Sequence, residues 1–145
     1  MSDTVKISGT VTPSNPSAEL GVEIWVDNTC VIDIKHIDGA VDFEHDIADD
    51  EGRHALHFVL KHKQPSHTQI DQDGNIVQDA VLSISNVAFD GIPLEQTLYK
   101  LSSYTHDFNG SQALSQHRFY GDMGCNGTVS LHFTTPLYLW LLENM

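Results

Sequence analysis

The sequence predicts an all-β protein, a single β-sandwich of jelly-roll type with a short C-terminal helix. Apolar and polar residues alternate with a period of two in several short segments, which is typical of half-buried strands. Turn-forming residues, among them Pro13, Asp27-Asn28 and the acidic run before Gly52, separate these segments. The chain has 145 residues, 40% of them hydrophobic, which is the usual size of one domain. We therefore predict one domain over residues 1–145.

The predicted strands follow one another along most of the chain. In the second, Val22, Ile24 and Val26 share one face while Trp25 lies on the other, and Asp27-Asn28 forms a hairpin turn into the third. The strands are expected, in chain order, at residues 5–11, 22–26, 30–34, 41–47, 54–61, 80–89, 98–104 and 128–133.

The strand at 80–89 has an irregular pattern. Its apolar residues change parity between Ile84 and Val87, so a regular strand would expose one of the two pairs of apolar side chains. One extra residue restores the pattern, and we predict a β-bulge at Ser85-Asn86.

The last ten residues, 136–145, are expected to form a helix. Thr135-Pro136 resembles a capped helix start, with Pro136 at the first helical position, and a strand is the alternative. The apolar side chains of this segment point in nearly every direction around a helix, so one sandwich covers only part of them. We therefore expect these residues to contact another protein subunit: Leu137, Leu139, Trp140, Leu141 and Leu142.

The charge balance excludes several classes of partner. The chain has 7 Lys+Arg and 20 Asp+Glu, a formal net charge of -13, which repels nucleic acids and anionic membranes. It favours a divalent cation, a neutral glycan or a protein. The longest apolar run, at 137–142, is far shorter than a membrane span. The N-terminus has no signal-peptide pattern, so we expect cytoplasmic synthesis and reduced thiols at Cys30 and Cys125.

The sequence contains little evidence for a catalytic site. Asp42, Glu44 and Asp46 alternate on one strand face, a spacing of roughly 7 Å that glycosidase acid/base pairs also show. A solvated strand face explains the same pattern. The chain contains nine histidines, but their spacing matches no zinc motif. No nucleophile motif is present, so we predict a non-enzymatic protein.

One loop resembles part of a calcium site. Asp71, Asp73, Asn75 and Asp79 place oxygen ligands at relative positions 1, 3, 5 and 9. Glycine falls at position 4 instead of 6, and Leu82 stands where a closing glutamate belongs. A plain hairpin turn explains the same residues. If the chain binds a metal, we expect calcium here.

Trp25 is the aromatic residue predicted on an outer strand face. Its indole could stack on a sugar ring, or the C-terminal segment or a neighbouring subunit could cover it.

Residues 20–91 resemble calcium-dependent xylan-binding modules, which are β-sandwiches of jelly-roll type. The resemblance rests on segments 20–27, 52–59 with its Gly-x-His-x-Leu pattern, 79–84 and 89–91. It implies that Asp79 helps to bind calcium, which in turn takes sugar hydroxyls as ligands. The family's Asn-Asp pair after the Gly-x-His strand is replaced here by Lys61-His62-Lys63.

The whole chain also resembles small virion-associated proteins of contractile-tailed marine phages. The resemblance rests on segments 106–110, 120–128 and 135–142. It implies a structural or host-recognition part of a virion that assembles through its C-terminal segment. The sequence thus leaves two functions: a virion structural or recognition module as the first, and a stand-alone carbohydrate-binding module as the alternative.

Overall fold

The computed structural model of the protein describes residues 4–15, 19–63, 68–70, 72–73, 76–106 and 113–144. Two helices lie within these residues, α1 (Gln96–Leu101) and α2 (Leu137–Asn144). The strands of the same residues are β1 (Thr4–Pro13), β2 (Gly21–Val26), β3 (Thr29–Ile34), β4 (Val41–Ala48), β5 (Arg53–Lys61), β6 (Thr68–Ile70), β7 (Ile76–Asp79), β8 (Leu82–Phe89), β9 (Ile92–Pro93), β10 (Ser103–His106), β11 (Ser115–Arg118), β12 (Asp122–Met123) and β13 (Gly127–Thr134).

The strands form two antiparallel sheets that pack face to face. The five-stranded sheet has the order β12-β8-β1-β4, with β9 beside β8, and the six-stranded sheet has the order β11-β10-β13-β5-β2-β3. Strands β6 and β7 pair only with each other. The chain crosses repeatedly from one sheet to the other, as jelly rolls do. The predicted all-β sandwich is confirmed.

The core between the sheets follows from the alternation of apolar residues. Val22, Ile24 and Val26 on β2 are buried, as predicted, and the other strands contribute in the same way. Two aromatic pairs join the sheets: the rings of Phe43 and Phe58 lie 5.6 Å apart, edge to face. A second pair, Phe89 and Phe133, has ring centroids 4.7 Å apart. Such pairs stabilise the sandwich beyond the area that they bury.

The predicted β-bulge is present in β8. Ser8 pairs with Ala88 but Thr10 pairs with Ser85, so the single residue Gly9 stands opposite two residues of β8. The bulge residues are Asn86 and Val87, one residue beyond the predicted pair, and Asn86 has a left-handed φ of 56°. Ile84 before the bulge and Val87 within it are both buried. The bulge therefore lets both apolar parities of the strand reach the core.

The strand predicted at 98–104 is wrong in its first half. The structure has helix α1 up to Leu101 and then strand β10. Leu94 and Leu98 are buried while Leu101 is 40% exposed. The three leucines follow an i, i+4, i+7 pattern, which is helical. A helix of six residues offers too short a window for that period to stand out from the alternation of the flanking strands.

The predicted C-terminal helix is confirmed, although it begins one residue later than expected. Pro136 precedes the helix and is joined to Thr135 by a cis peptide bond. The amide of Leu137 donates to Asp49 Oδ1 at 3.1 Å, so a carboxylate of the β4–β5 turn accepts from the first helical N–H. Among the described residues, no helix has the length and apolar character needed to cross a membrane.

The packing of α2 bears on the predicted subunit interface. Leu137, Trp140 and Leu141 are buried within their own chain, and the Trp140 ring lies 5.7 Å from Phe89. These three side chains are covered by their own chain, Trp140 by Phe89 and Phe133, and the predicted interface with another subunit stays a prediction. Leu139 and Leu142 are exposed, 57% and 79% respectively, and their predicted contact with a subunit stays a prediction.

Candidate functional site

Trp25, the aromatic residue predicted on an outer strand face, lies on the outer face of the six-stranded sheet. Trp25 pairs with His57 on β5, and His57 pairs with Ser130 on β13, so the three form a row across neighbouring strands. His132 and Arg53 have the same outward parity, since their strand neighbours Leu131, Phe133 and Leu56 face the core. We call this group the Trp25 surface: Trp25, Arg53, His57, Ser130 and His132.

The Trp25 side chain is held in one orientation while staying partly exposed. Its indole N–H donates to Glu23 Oε1 at 2.8 Å, and Glu23 also forms an ion pair with Lys61. A ring fixed in this way loses little rotamer freedom when a ligand stacks on it. The alternative prediction, a Trp25 covered by the C-terminal segment, does not hold, because Trp140 of that segment packs on Phe89 and Phe133.

Two histidines provide polar groups next to Trp25. The rings of His57 and His132 lie 6.2 Å apart at 83°, and His57 Nδ1 is 2.8 Å from Ser130 Oγ. Burial lowers the pKa of His57, and the neighbouring His132 lowers it further. His57 is therefore neutral at pH 7 and has one donor and one acceptor nitrogen. Groups of this kind match the hydroxyls of a sugar.

A cavity of about 350 Å³ opens beside His57, toward the β2–β3 turn. Arg53 and His132 lie on its rim with Asn28 opposite. An adjoining cavity of about 300 Å³ shares Arg53 and His132 and ends at Trp140. The two cavities, together called the groove, share His57, Arg53 and His132 with the Trp25 surface, whereas Trp25 itself is not among their lining residues.

His54 forms the floor of this groove and joins three segments of the chain. Its Nδ1 lies 2.7 Å from Asp27 Oδ2 in the β2–β3 turn, and its Nε2 lies 2.9 Å from Asp50 Oδ1 in the β4–β5 turn. Thr135, just before α2, donates to the same Asp50 oxygen at 3.1 Å. The imidazole stacks on Phe133. The three turns around the groove are thus tied together.

The charge state of His54 distinguishes this cluster from a catalytic triad. Burial lowers the pKa of His54, but the hydrogen bonds to Asp27 and Asp50 outweigh burial, and the net effect is a raised pKa. The hydrogen bond from His54 lowers the pKa of Asp50. An imidazolium with a carboxylate at each nitrogen has no free site to accept a proton from Thr135. The cluster is a structural ion pair network.

The acidic triplet lies elsewhere and is solvent-exposed. Asp42, Glu44 and Asp46 are on β4, at the edge of the five-stranded sheet. Thr10 donates to Asp42 at 2.7 Å, and Lys6 lies 3.9 Å from Glu44. This arrangement agrees with a solvated strand face that discourages edge pairing.

The predicted calcium loop falls largely outside the described residues. Asp71 and Asn75 are not described, and neither is the side chain of Asp79 in β7, whereas Asp73 is exposed. The described residues contain no group of three or more His, Cys, Asp or Glu side chains that could hold a metal ion.

Lys63 places a cation close to the start of β8. Its side chain is buried, 3% exposed, and its ammonium donates to the carbonyls of Ala80 and, at 2.9 Å, Gly124. Ala80 directly follows Asp79, the residue implied as a calcium ligand. Asn126 holds the Lys63 backbone through hydrogen bonds in both directions, at 2.7 and 3.0 Å. The fit of calcium to the predicted loop depends on Asp71, Asn75 and the Asp79 side chain, which lie outside the described residues, so calcium binding there stays a prediction.

A further cavity of about 380 Å³ lies beside the β8 bulge and α1. Asn86, Glu95 and Tyr99 are among its lining residues. The Tyr99 ring packs edge to face on Phe119 at 6.0 Å, so it does not offer a free face like that of Trp25.

Comparisons with known proteins give a likeness in fold. No family model matches the chain, and no curated protein matches it. Among solved structures, the selenomethionine form of vCBM60, from work on circular permutation between two families of calcium-dependent carbohydrate binding modules, is 14% identical with a TM-score of 0.48, covering 88% of this chain and 89% of that one. The complex of vCBM60 with galactobiose is 12% identical with a TM-score of 0.49, covering 87% and 96%. Nothing in these comparisons supports the resemblance to virion proteins.

Part of the site was missed in the sequence. The sequence pattern predicts turns at Asp27 and Asp50 and a helix start at Thr135. It does not predict that these three residues converge on His54. One local signal existed, because Asp50 and His54 are four residues apart with opposite charge. Asp27 and Thr135 come from distant strands, and only the packing of the sheets brings them to His54.

Proposed function

We propose that this protein is a non-enzymatic carbohydrate-binding module and that the Trp25 surface receives the glycan. The observation that carries the proposal is the Trp25 ring, partly exposed on a sheet face and fixed by its bond to Glu23. A pyranose ring presents C–H groups on one face, and an indole provides the matching apolar surface. Neutral His57 and Ser130, which are hydrogen-bonded to each other, lie where the hydroxyls of a stacked sugar would point.

The shape of the site favours a chain of sugars over a single one. The groove continues from His57 past His132 to Arg53, and four residues along a strand span roughly 13 Å. The groove is shallow and open, and nothing in it combines a nucleophile with a free base. Binding without chemistry is the function that this geometry supports.

The proposal does not require calcium, because stacking on Trp25 and hydrogen bonds to His57 and Ser130 need no metal ion. An assembly role through the C-terminal segment has less support than glycan binding, since α2 buries Leu137, Trp140 and Leu141 in its own chain. Glycan binding with and without chelator tests both points: we expect the same affinity with EDTA as with calcium.

The experiment is a glycan array on the full chain, followed by calorimetry with the best oligosaccharide. Trp25→Ala is expected to weaken binding by about tenfold, the scale of one aromatic contact. Tyr138→Ala is the matched control, because Tyr138 is an exposed aromatic residue bonded to Asp90 on the other sheet. It should leave the affinity unchanged.

Two outcomes would contradict the proposal. The first is a folded chain that binds no glycan on the array. The second is binding that survives Trp25→Ala, which would place the glycan elsewhere on the molecule.

A further inference from the structure

The rim of the groove carries a cation that has no acidic neighbour. Arg53 is exposed at the start of β5, and among the described residues no carboxylate lies within ion-pair distance of its guanidinium. This is unusual in a chain with 20 acidic and 7 basic residues. The unpaired guanidinium has five N–H donors in a planar fork that matches a carboxylate or a sulfate.

Two carboxylates near Arg53, those of Asp27 and Asp50, are partly compensated by His54. Asp27, which lines the same cavity, accepts from His54 through one oxygen and from the amide of Ala55 through the other. Asp50 is likewise bonded to His54. The imidazolium offsets part of their charge, so it weakens the repulsion of an anion at Arg53.

One group of negative charges, the acidic triplet, is distant from the groove. The acidic triplet of Asp42, Glu44 and Asp46 lies on β4 of the five-stranded sheet. Packed sheets are about 10 Å apart, which exceeds the screening length of about 8 Å at physiological salt. An anion on the outer face of the six-stranded sheet is therefore only weakly repelled by the triplet.

We propose that the groove selects an acidic sugar, with Arg53 and His132 binding a carboxylate or sulfate on the glycan that stacks on Trp25. This inference rests on the proposed function and makes its ligand more specific. It also replaces the neutral glycan that the overall charge suggested, because the charge near the groove differs from the average of the chain. His132 is exposed and lines both cavities together with Arg53. Its imidazole adds an N–H donor on the same rim.

The experiment compares matched pairs of ligands by calorimetry. Oligogalacturonides and oligomannuronates are each compared with their methyl esters, and a sulfated carrageenan oligosaccharide is compared with its desulfated form. We expect about tenfold tighter binding of at least one acidic member over its neutral counterpart, as for one charge-assisted forked contact. The uronate and carrageenan arms show whether carboxylate or sulfate is bound.

The variants locate the contact. Arg53→Gln should remove the preference for the acidic member, so that the acidic and the neutral member bind with the same affinity. Arg118→Gln is the control, because Arg118 lies on the same sheet face, four strands from β2, with its guanidinium over the Tyr120 ring. It should keep the preference.

The possible failures are distinguishable. Equal affinity for acidic and neutral members, with loss of both in Trp25→Ala, overturns the acidic-sugar inference and leaves the proposed function standing. A preference that survives Arg53→Gln overturns the inference as well. Failure of every member of the panel, and of the full array, overturns both.

Discussion

At the scale of single residues, two basic side chains, the partly buried His54 and the buried Lys63, join separate segments of the sandwich. His54 joins the turns after β2 and β4 to the segment before α2. Lys63 joins the end of β5 to the residues before β8 and β13. Both replace apolar packing by charge-assisted hydrogen bonds at places where several backbone segments end.

The first prediction concerns the pH dependence of stability. Because the folded pKa of His54 is raised, its contribution is complete below about pH 6.5, the unfolded value, and is lost as pH rises through the folded pKa. The ring faces Asp27, Asp50, Thr135 and Phe133, with Arg53 and His132 farther along the groove. The loss should be about 1 kcal/mol, the scale of a partly screened pair.

Urea unfolding between about pH 5 and pH 9 measures this effect, with His54→Gln as the comparison. The variant should be less stable than the natural chain at the acidic end and approach it at the alkaline end. Parallel pH profiles for the two proteins would show that His54 is not the titrating group.

The second prediction concerns Lys63 and calcium. A calcium ion that binds the folded state would stabilise it by about 2–3 kcal/mol at a hundredfold excess over its dissociation constant. Because the Lys63 ammonium already bonds to Ala80 and Gly124, we expect the melting temperature of chelator-treated protein to stay the same when millimolar calcium is added. A clear rise would restore the loop of Asp71, Asp73, Asn75 and Asp79 as a metal site.

Lys63→Met tests the same residue without metal. It keeps the length of the side chain but leaves two buried carbonyls without their donor, which costs about 1–3 kcal/mol. Lys100→Met is the control, since Lys100 lies on the exposed side of α1 and should change the free energy of unfolding by less than about 0.5 kcal/mol. Equal stability of the two variants would show that the Lys63 bonds contribute nothing.

At the scale of helices and strands, most of the sandwich could be predicted because the signal is local. The alternation of Val22, Ile24 and Val26 determines which face of β2 is buried, and the parity change around Asn86 requires the bulge. The position of α2 could not be predicted in this way. Its apolar residues indicate that it must be buried, but not whether its own core or another chain covers it, since that depends on the space left open between the sheets near Phe89 and Phe133.

The third prediction follows from the packing of α2. Trp140→Ala removes a ring that lies on Phe89 and Phe133, and we expect it to lower the free energy of unfolding by about 3–5 kcal/mol. Leu142→Ala, 79% exposed in the structure, should change it by less than about 0.5 kcal/mol. Denaturant unfolding combined with light scattering checks both.

The opposite result is informative. A Trp140→Ala variant that keeps its stability but changes from an oligomer to a monomer would place this ring in a subunit interface after all, and so return to the interface predicted from the sequence.

At the scale of the whole molecule, charge and binding groups are segregated between the two sheets. The five-stranded sheet carries the acidic triplet of β4, and the six-stranded sheet carries the Trp25 surface. This segregation could not be predicted, because the sequence shows which residues share a strand face but not which strands are neighbours.

The fourth prediction concerns salt. A formal net charge of -13 repels itself in the compact state, so raising the ionic strength from about 0.01 to about 0.15 M should raise the melting temperature as the screening length falls. Asp46→Asn, at an exposed site on β4, should reduce the gain. A melting temperature that falls with added salt would mean that screened attractions such as that of His54 with Asp50 outweigh the repulsion.

The His54 network also bears on how fast a ligand is captured. Because Asp27, Asp50 and Thr135 already tie the turns around the groove to one ring, its walls are ordered before any ligand arrives. Association then needs no preceding rearrangement, and little conformational entropy is lost on binding. Loosening this network in His54→Gln should therefore slow capture and make binding entropically less favourable, even though the proposed stacking contact is made by Trp25 and not by His54.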